Sequence, residues 1–167
     1  MVVACGVGDD AEYLGARGWD VTAFDISPTA IEWCRERFPD SPVDYRVADL
    51  FDLPDEWHQA LDLVVEVWTI QSVSPQQTGR AIDSIATLVA SSGTLLVSAL
   101  TSDVVELPQG PPWPVHPNAL DGFIEAGLVE VRRVELATPY PSVGKLEIEY
   151  RRDRSLQGDL KTPSDIA

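Results

Sequence analysis

Apolar residues recur along the chain with two alternating periods. Short runs rich in β-branched and aromatic residues cover 2–5, 20–24, 43–48, 61–67 and 93–100, and each reads as a strand. The run Leu61-Asp62-Leu63-Val64-Val65-Glu66-Val67 is nearly continuous, the pattern of a strand buried on both faces. Between these runs the spacing becomes helical. Residues 9–17 carry acids in the first turn and Gly18 behind them, which are start and stop signals. Ser27-Pro28 reads as an N-cap followed by proline at the first helical position. Ile31, Cys34 and Phe38 then share one face, and Pro39 closes the helix. Ser74-Pro75 repeats the signal ahead of the stripe Ala81, Ile82, Ile85, Leu88 and Val89. Ser91-Ser92-Gly93 predicts a turn. A proline-rich loop over 108–117 leads to a short helix over 119–126, stopped by Gly127. Residues 128–136 and 145–151 close the chain as strands, antiparallel because a short loop joins them.

Strands alternating with helices build right-handed βαβ units. The expected fold class is α/β, with a doubly wound, mostly parallel Rossmann-like sheet and an antiparallel C-terminal strand pair. One domain over 1–152 is expected, followed by a polar, frayed tail over 153–167. Ligands on such sheets sit outside the carboxyl ends of the strands, where the strand order reverses. The loops after the strands are therefore where function is sought.

The loop after the first strand is Ala4-Cys5-Gly6-Val7-Gly8-Asp9. Gly6 and Gly8 permit positive φ and close approach of the backbone to a ligand, and the helix behind them presents unpaired N–H groups. Asp25 ends the second strand, where a carboxylate can accept both hydroxyl hydrogens of a ribose. Nicotinamide dinucleotides and S-adenosylmethionine both fit that pattern. Gly6 to Ala11 even satisfies the dinucleotide fingerprint. Against a dinucleotide, Asp9 and Asp10 stand where a pyrophosphate would lie and repel it. Asp49, ending the third strand, supplies an acceptor where an adenine amino group needs one.

Charge narrows the partners. Twelve basic residues against 27 acidic ones leave a net charge of −15, which repels phosphate backbones, so nucleic acid is not expected and neutral or cationic small molecules are. Cys5 and Cys34, the two cysteines, make no disulfide framework and fit no zinc spacing; no metal is expected. The start lacks a basic segment and an apolar stretch of signal-peptide length. The uncharged stretch 84–102 is broken by Ser91-Ser92-Gly93, so it reads as helix, turn and strand and not as a membrane span. A cytoplasmic location follows as an expectation.

In order and spacing, Val3 to Asp9, Val21 to Ser27, Ala48 to Pro54, Asp62 to Trp68 and Gly93 to Val97 resemble class I S-adenosylmethionine-dependent methyltransferases, from Val2 to about Val131. Within that superfamily the chain is most similar to small-molecule enzymes of the thiopurine and tellurite-resistance type, partly through Gly110-Pro111-Pro112-Trp113. The resemblance implies S-adenosyl-L-methionine as cofactor and methyl transfer to a small-molecule acceptor. It implies that Ala4, Cys5, Gly6 and Gly8 line the methionine moiety and that Asp25 binds the ribose. Ile26 packs against adenine, Asp49 accepts from its amino group, and the Leu50 backbone lies nearby. Glu66 faces the methionine amino group or the acceptor, as cation partner or general base. Trp68 and Trp113 are expected to line the acceptor pocket, Trp68 also near the sulfonium, with Gln71 hydrogen-bonding the acceptor. His116 is a further candidate base, which a lone loop histidine supports weakly.

Two departures from the family pattern bear on function. Ala4 stands where the family's first loop glycine belongs. Family members usually carry helices ahead of strand one, and here strand one begins at Met1: the chain is truncated, its start is misassigned, or the pocket is open, an open pocket also leaving a sheet face partly exposed, with a monomer or a homodimer as the expected assembly. Two other readings follow: a non-catalytic or truncated methyltransferase-like binding module, and a nicotinamide-dependent oxidoreductase.

Overall fold

The computed structural model describes residues 1–104, 109–140 and 142–153. Pro108 of the proline-rich loop and the expected tail beyond 153 lie outside the described residues. Seven strands form one sheet: β1 (Val2–Val3), β2 (Thr22–Asp25), β3 (Asp44–Val47), β4 (Leu61–Val67), β5 (Val89–Thr101), β6 (Leu128–Ala137) and β7 (Gly144–Arg152). Their order is β3-β2-β1-β4-β5-β7-β6. The first five are mutually parallel, and β7 enters antiparallel between β5 and β6. The fold is the doubly wound α/β sheet expected, closed by the antiparallel strands.

Helices α1 (Asp9–Gly15), α2 (Pro28–Arg37), α3 (Thr78–Leu88) and α4 (Gly122–Glu125) divide between the two faces. Ala11, Ile31 and Cys34 from α1 and α2 pack with Val2, Ala23 and Val65. Ile82 and Ile85 from α3 and Phe123 from α4 pack with Val64, Leu95, Val97 and Ile148 on the opposite side. Neighbours Val64 and Val65 thus enter different layers, which is why β4 carries its near-continuous apolar run. The helix after β1 covers one face and the helix after β4 the other. Their connections diverge at the carboxyl ends of these adjacent strands, where the order reverses, and open a crevice there.

Local signals locate most boundaries. Ser27 caps α2, accepting from Ala30 N–H at 3.3 Å, with Pro28 behind it. Gly18 and Gly127 hold φ of +83° and +86° past the ends of α1 and α4. Four details differ from expectation. Pro75 opens a 3-10 turn, Pro75–Gln77, and α3 starts only at Thr78; the Ser74 hydroxyl turns to Gln77 Oε1 at 2.9 Å and caps no N–H. Val89 leaves the helix and begins β5, because Arg152 at the end of β7 donates to the carbonyls of Ala86 and Val89 and stops α3 from outside. The Ser91-Ser92-Gly93 signal becomes a bulge within β5: Leu61 pairs with Val89 but Leu63 with Thr94. A side chain at Gly93 would meet Leu61 O at 2.8 Å, so glycine is required there. The helix expected over 119–126 splits into a 3-10 turn, Pro117–Asp121, and the short α4.

The sheet is not equally covered. On the α1 and α2 side, Leu96 is 40% exposed, and Leu136 and Val129 are also exposed. A shallow hollow of about 320 Å³ runs over Val65, Val67, Leu96 and Val134, flanked by Arg132, Glu147 and Glu149.

Candidate functional site

The crevice at the strand tips is a cleft of about 390 Å³. It is lined by Ala4 after β1, Asp25 and Ile26 after β2, Asp49 and Leu50 after β3, and Trp68 after β4. Six expected site residues from four loops therefore meet in one place. Phe51, Thr69, Ser72 and Val73 also line it, and the sequence reading did not single them out. A signal existed: each follows closely on an expected residue at a strand tip.

The glycine loop and Asp25 are built as a unit. Asp25 Oδ2 accepts from Gly6 N–H and Oδ1 from Ser27 N–H, both at 2.9 Å. A carboxylate offers about four acceptor positions, so two remain for a ligand's hydroxyls. Gly6 holds φ of +54°, and a Cβ added there meets no atom within 4 Å. Gly8 is different: its φ is +91°, and a Cβ would stand 2.5 Å from Tyr45 Oη and 3.1 Å from Cys34 Sγ. Gly8 thus serves packing inside the protein, and of the four loop residues expected at the methionine moiety only Ala4 lines the cleft; Cys5, Gly6 and Gly8 do not, Gly6 reaching it through its bond to Asp25. Cys34 donates to Gly6 O at 3.4 Å. Burial, and then the neighbouring Cys34, push the Cys5 thiol up to about 12, so it is no nucleophile at neutral pH. Ala4 occupies the left-handed region, φ +46°, which costs a residue with a Cβ roughly 1–2 kcal/mol.

Asp49 is exposed and accepts from Phe51 N–H through Oδ1 at 2.8 Å. Leu50 is buried behind it, while Ile26 is 66% exposed at the cleft edge. Trp68 is 51% exposed with φ of +63°. A bulky residue held there stores about 1–3 kcal/mol of strain. Its backbone is pinned on both sides: Trp68 N–H donates to Ser98 O at 3.0 Å, and the Ser72 hydroxyl donates to Trp68 O at 2.8 Å.

Glu66 and Gln71 sit elsewhere than expected. Glu66 is fully buried. Its Oε1 accepts from the N–H groups of Thr69 at 2.6 Å and Ile70 at 3.0 Å, and Oε2 has no partner among the described residues. Burial pushes its carboxyl up to about 7, against the pull of the Ile70 and Thr69 N–H groups and of the nearby Thr69 hydroxyl. It braces the turn after β4 and is not open to the cleft. Gln71 is likewise fully buried; its Oε1 accepts from Leu100 N–H at 3.0 Å and its carbonyl from Trp113 N–H at 2.8 Å. Gln71 is a strut between β5 and the proline-rich loop, out of reach of an acceptor. Trp113 lines a separate hollow of about 280 Å³ with Pro75, Thr78, Asp103 and His116, and the structure does not bring it beside Trp68. His116 Nδ1 accepts from Asn118 N–H and Nε2 lies 3.6 Å from Asp103 Oδ1. His116 thus caps the 3-10 turn beginning at Pro117, and it lines the hollow of Trp113 and not the cleft.

A family described as a methyltransferase domain matches residues 1–97, more than half the chain. The chain belongs to this methyltransferase family. S-adenosylmethionine is the family's cofactor. The chain is 33% identical over 98 residues to the malonyl-[acyl-carrier protein] O-methyltransferase of Acetivibrio thermocellus. That match covers 58% of this chain but only 33% of the relative, so the chain spans about a third of the relative's length. Two solved structures share the fold. A SAM-dependent methyltransferase of Methanosarcina mazei is 15% identical with a TM-score of 0.76, covering 91% of each chain. The 1,6-didemethyltoxoflavin-N1-methyltransferase of Burkholderia thailandensis, with bound 1,6-didemethyltoxoflavin and S-adenosylhomocysteine, is 19% identical with a TM-score of 0.71, covering 91% of this chain and 71% of that one. Among the described residues of this methyltransferase-family chain, no helix is long and apolar enough to cross a membrane, and no group of three or more His, Cys, Asp or Glu could hold a metal.

The residues present fit the family's cofactor. The open space at Gly6 admits a ligand against the backbone. Asp25 keeps acceptor capacity for paired hydroxyls, and an exposed carboxylate at Asp49 borders a mainly apolar cleft of adequate size.

Proposed function

We propose that the protein transfers a methyl group from S-adenosylmethionine to a small-molecule acceptor in this cleft. The observation that carries the reading is the convergence of Asp25 and Asp49 on one cleft, with Asp25 bonded to the glycine loop at Gly6. Asp25 accepts the ribose hydroxyls with the positions left by Gly6 and Ser27. Asp49 accepts from the adenine amino group, Ile26 packs against the ring, and the Leu50 backbone lies nearby. Ala4 and Gly6 bring backbone close to the methionine moiety. What bound S-adenosylmethionine contributes is a methyl group already activated by its sulfonium. Trp68 offers an aromatic face to that cation, worth roughly 0.5–2 kcal/mol, and forms the wall over which the acceptor enters. The protein's main task is alignment: holding acceptor and methyl in line can supply up to roughly 7–11 kcal/mol of the barrier. The net charge of −15 favours neutral or cationic acceptors.

Calorimetry with S-adenosylhomocysteine tests this. The folded chain binds it, and Asp25→Ala weakens binding tenfold or more. No binding by an intact, folded chain, or saturable NADH binding in its place, overturns the reading.

A further inference from the structure

A buried carboxylate with an unpartnered oxygen is unfavourable, and Glu66 is one. Its Oε1 holds the first two N–H groups of the turn that follows Trp68, and its Oε2 has no partner among the described residues. That turn contributes Trp68, Thr69, Ser72 and Val73 to the cleft. The same turn is tied to β1 by the Thr69 hydroxyl, which donates to Val3 O at 3.3 Å. Among the described residues no charged group acts on the carboxylate, although Glu66 shares the lining of the hollow over the sheet with Arg132, Glu147 and Glu149. β1, β5 and the 3-10 turn Ile70–Ser72 carry no ionisable side chain. Arg80 and Asp83 of α3 are exposed, Arg80 donating to Phe51 O. The amino group of Met1 is bonded to Leu63 O, three residues before Glu66.

We propose that Glu66 is the positioning residue of the cleft, and that its ionised carboxylate holds the Trp68–Val73 wall in the shape that binds the cofactor, while protonation releases it. A carboxylate accepts the two N–H groups in charge-assisted bonds, roughly twice as strong as those the carbonyl oxygen of the neutral acid would accept. Burial sets the carboxyl to titrate near neutrality, at about 7, so the switch lies within an ordinary pH range. Of the protein's two histidines, His58 and His116, neither lines the cleft; the Met1 amino group, whose pKa burial lowers to about 6, is bonded to Leu63 on the same strand, and Glu66→Gln separates its titration from that of Glu66.

The inference rests on the cofactor reading above, and its test separates the two. The affinity of the full chain for S-adenosylhomocysteine is measured by calorimetry across pH 6 to 8. The competent fraction changes from about one-tenth to about nine-tenths over that span, so binding is about tenfold weaker at the acid end. Near pH 7, about half a proton is released per ligand bound, seen by repeating the titration in buffers of different ionisation enthalpy. Glu66→Gln, which keeps the acceptor but cannot ionise, flattens the pH profile. Independently of any ligand, the indole N–H resonance of Trp68, assigned with Trp68→Phe, shifts with a midpoint near 7 in the wild type. A pH-independent affinity without proton release, a pH profile that survives in Glu66→Gln, or a Trp68 resonance that does not move in this range overturns the inference. Absence of binding at every pH overturns the cofactor reading instead, and the Trp68 resonance still decides the role of Glu66.

Discussion

Gly6 and Gly8 stand two residues apart in one loop, and exchanging each for alanine should produce opposite defects. Both hold positive φ, so each alanine carries roughly 1–2 kcal/mol of backbone cost. For Gly6→Ala that is nearly the whole structural effect, since nothing lies within 4 Å of the new methyl group. For Gly8→Ala the methyl falls 2.5 Å from Tyr45 Oη and 3.1 Å from Cys34 Sγ. Neither neighbour is free to give way. Both side chains are buried, and Tyr45 Oη donates to Glu12 Oε1 at 2.7 Å. Overpacking adds about 1–3 kcal/mol, and a displaced hydrogen bond about 1 more. The sum is about 3–6 kcal/mol for Gly8→Ala against about 1–2 for Gly6→Ala. Urea unfolding followed by far-ultraviolet dichroism reads the difference directly, and calorimetry with S-adenosylhomocysteine reads the site. Gly6→Ala should remain folded and lose affinity tenfold or more, because the methyl occupies space the ligand needs. Equal destabilisation by the two changes, or a Gly6→Ala variant of undiminished affinity, refutes the division of labour within the loop.

Three further outcomes are expected. Ala4→Gly relieves the left-handed strain at φ +46° and raises stability by about 1 kcal/mol, seen as a higher urea midpoint at constant m-value; a lower midpoint contradicts it. Tyr150→Phe removes the buried hydroxyl that donates to Leu120 O at 3.0 Å and costs about 1–2 kcal/mol, which thermal unfolding measures. The folded carboxyl of Glu66 titrates at about 7, above its ordinary 4.5, so the native state binds this proton more tightly than the unfolded chain. That contribution, on the order of 3 kcal/mol, is complete below pH 4.5 and is lost as pH rises through about 7. Unfolding of wild type and Glu66→Gln at several pH values should show it as a difference that grows towards acid. A difference independent of pH would show that the carboxyl is not perturbed. The ionised state that shapes the cleft is thus the less stable one, as functional sites often are.

The alternation of strands and helices, the layers they build and the cleft's first three strand tips were legible along the chain, because period, capping and turn chemistry act over a few residues. Ser27 is the N-cap its sequence neighbours imply, and Asp25 ends its strand as read, while β3 stops at Val47 and Asp49 stands two residues beyond it. The exchange of roles inside the site was not legible. Glu66 and Trp68 are two residues apart in a strand end, yet one is fully buried and the other half exposed. Gln71, a surface amide by type, became a strut because β5 and the proline-rich loop close over it. The end of α3 waited on Arg152, 64 residues away from Leu88 in the chain. Strand and helix are chosen by local energies that the nearest residues fix. Which polar group is drawn inside, and what it must then hold, depends on segments that meet only after the chain has folded.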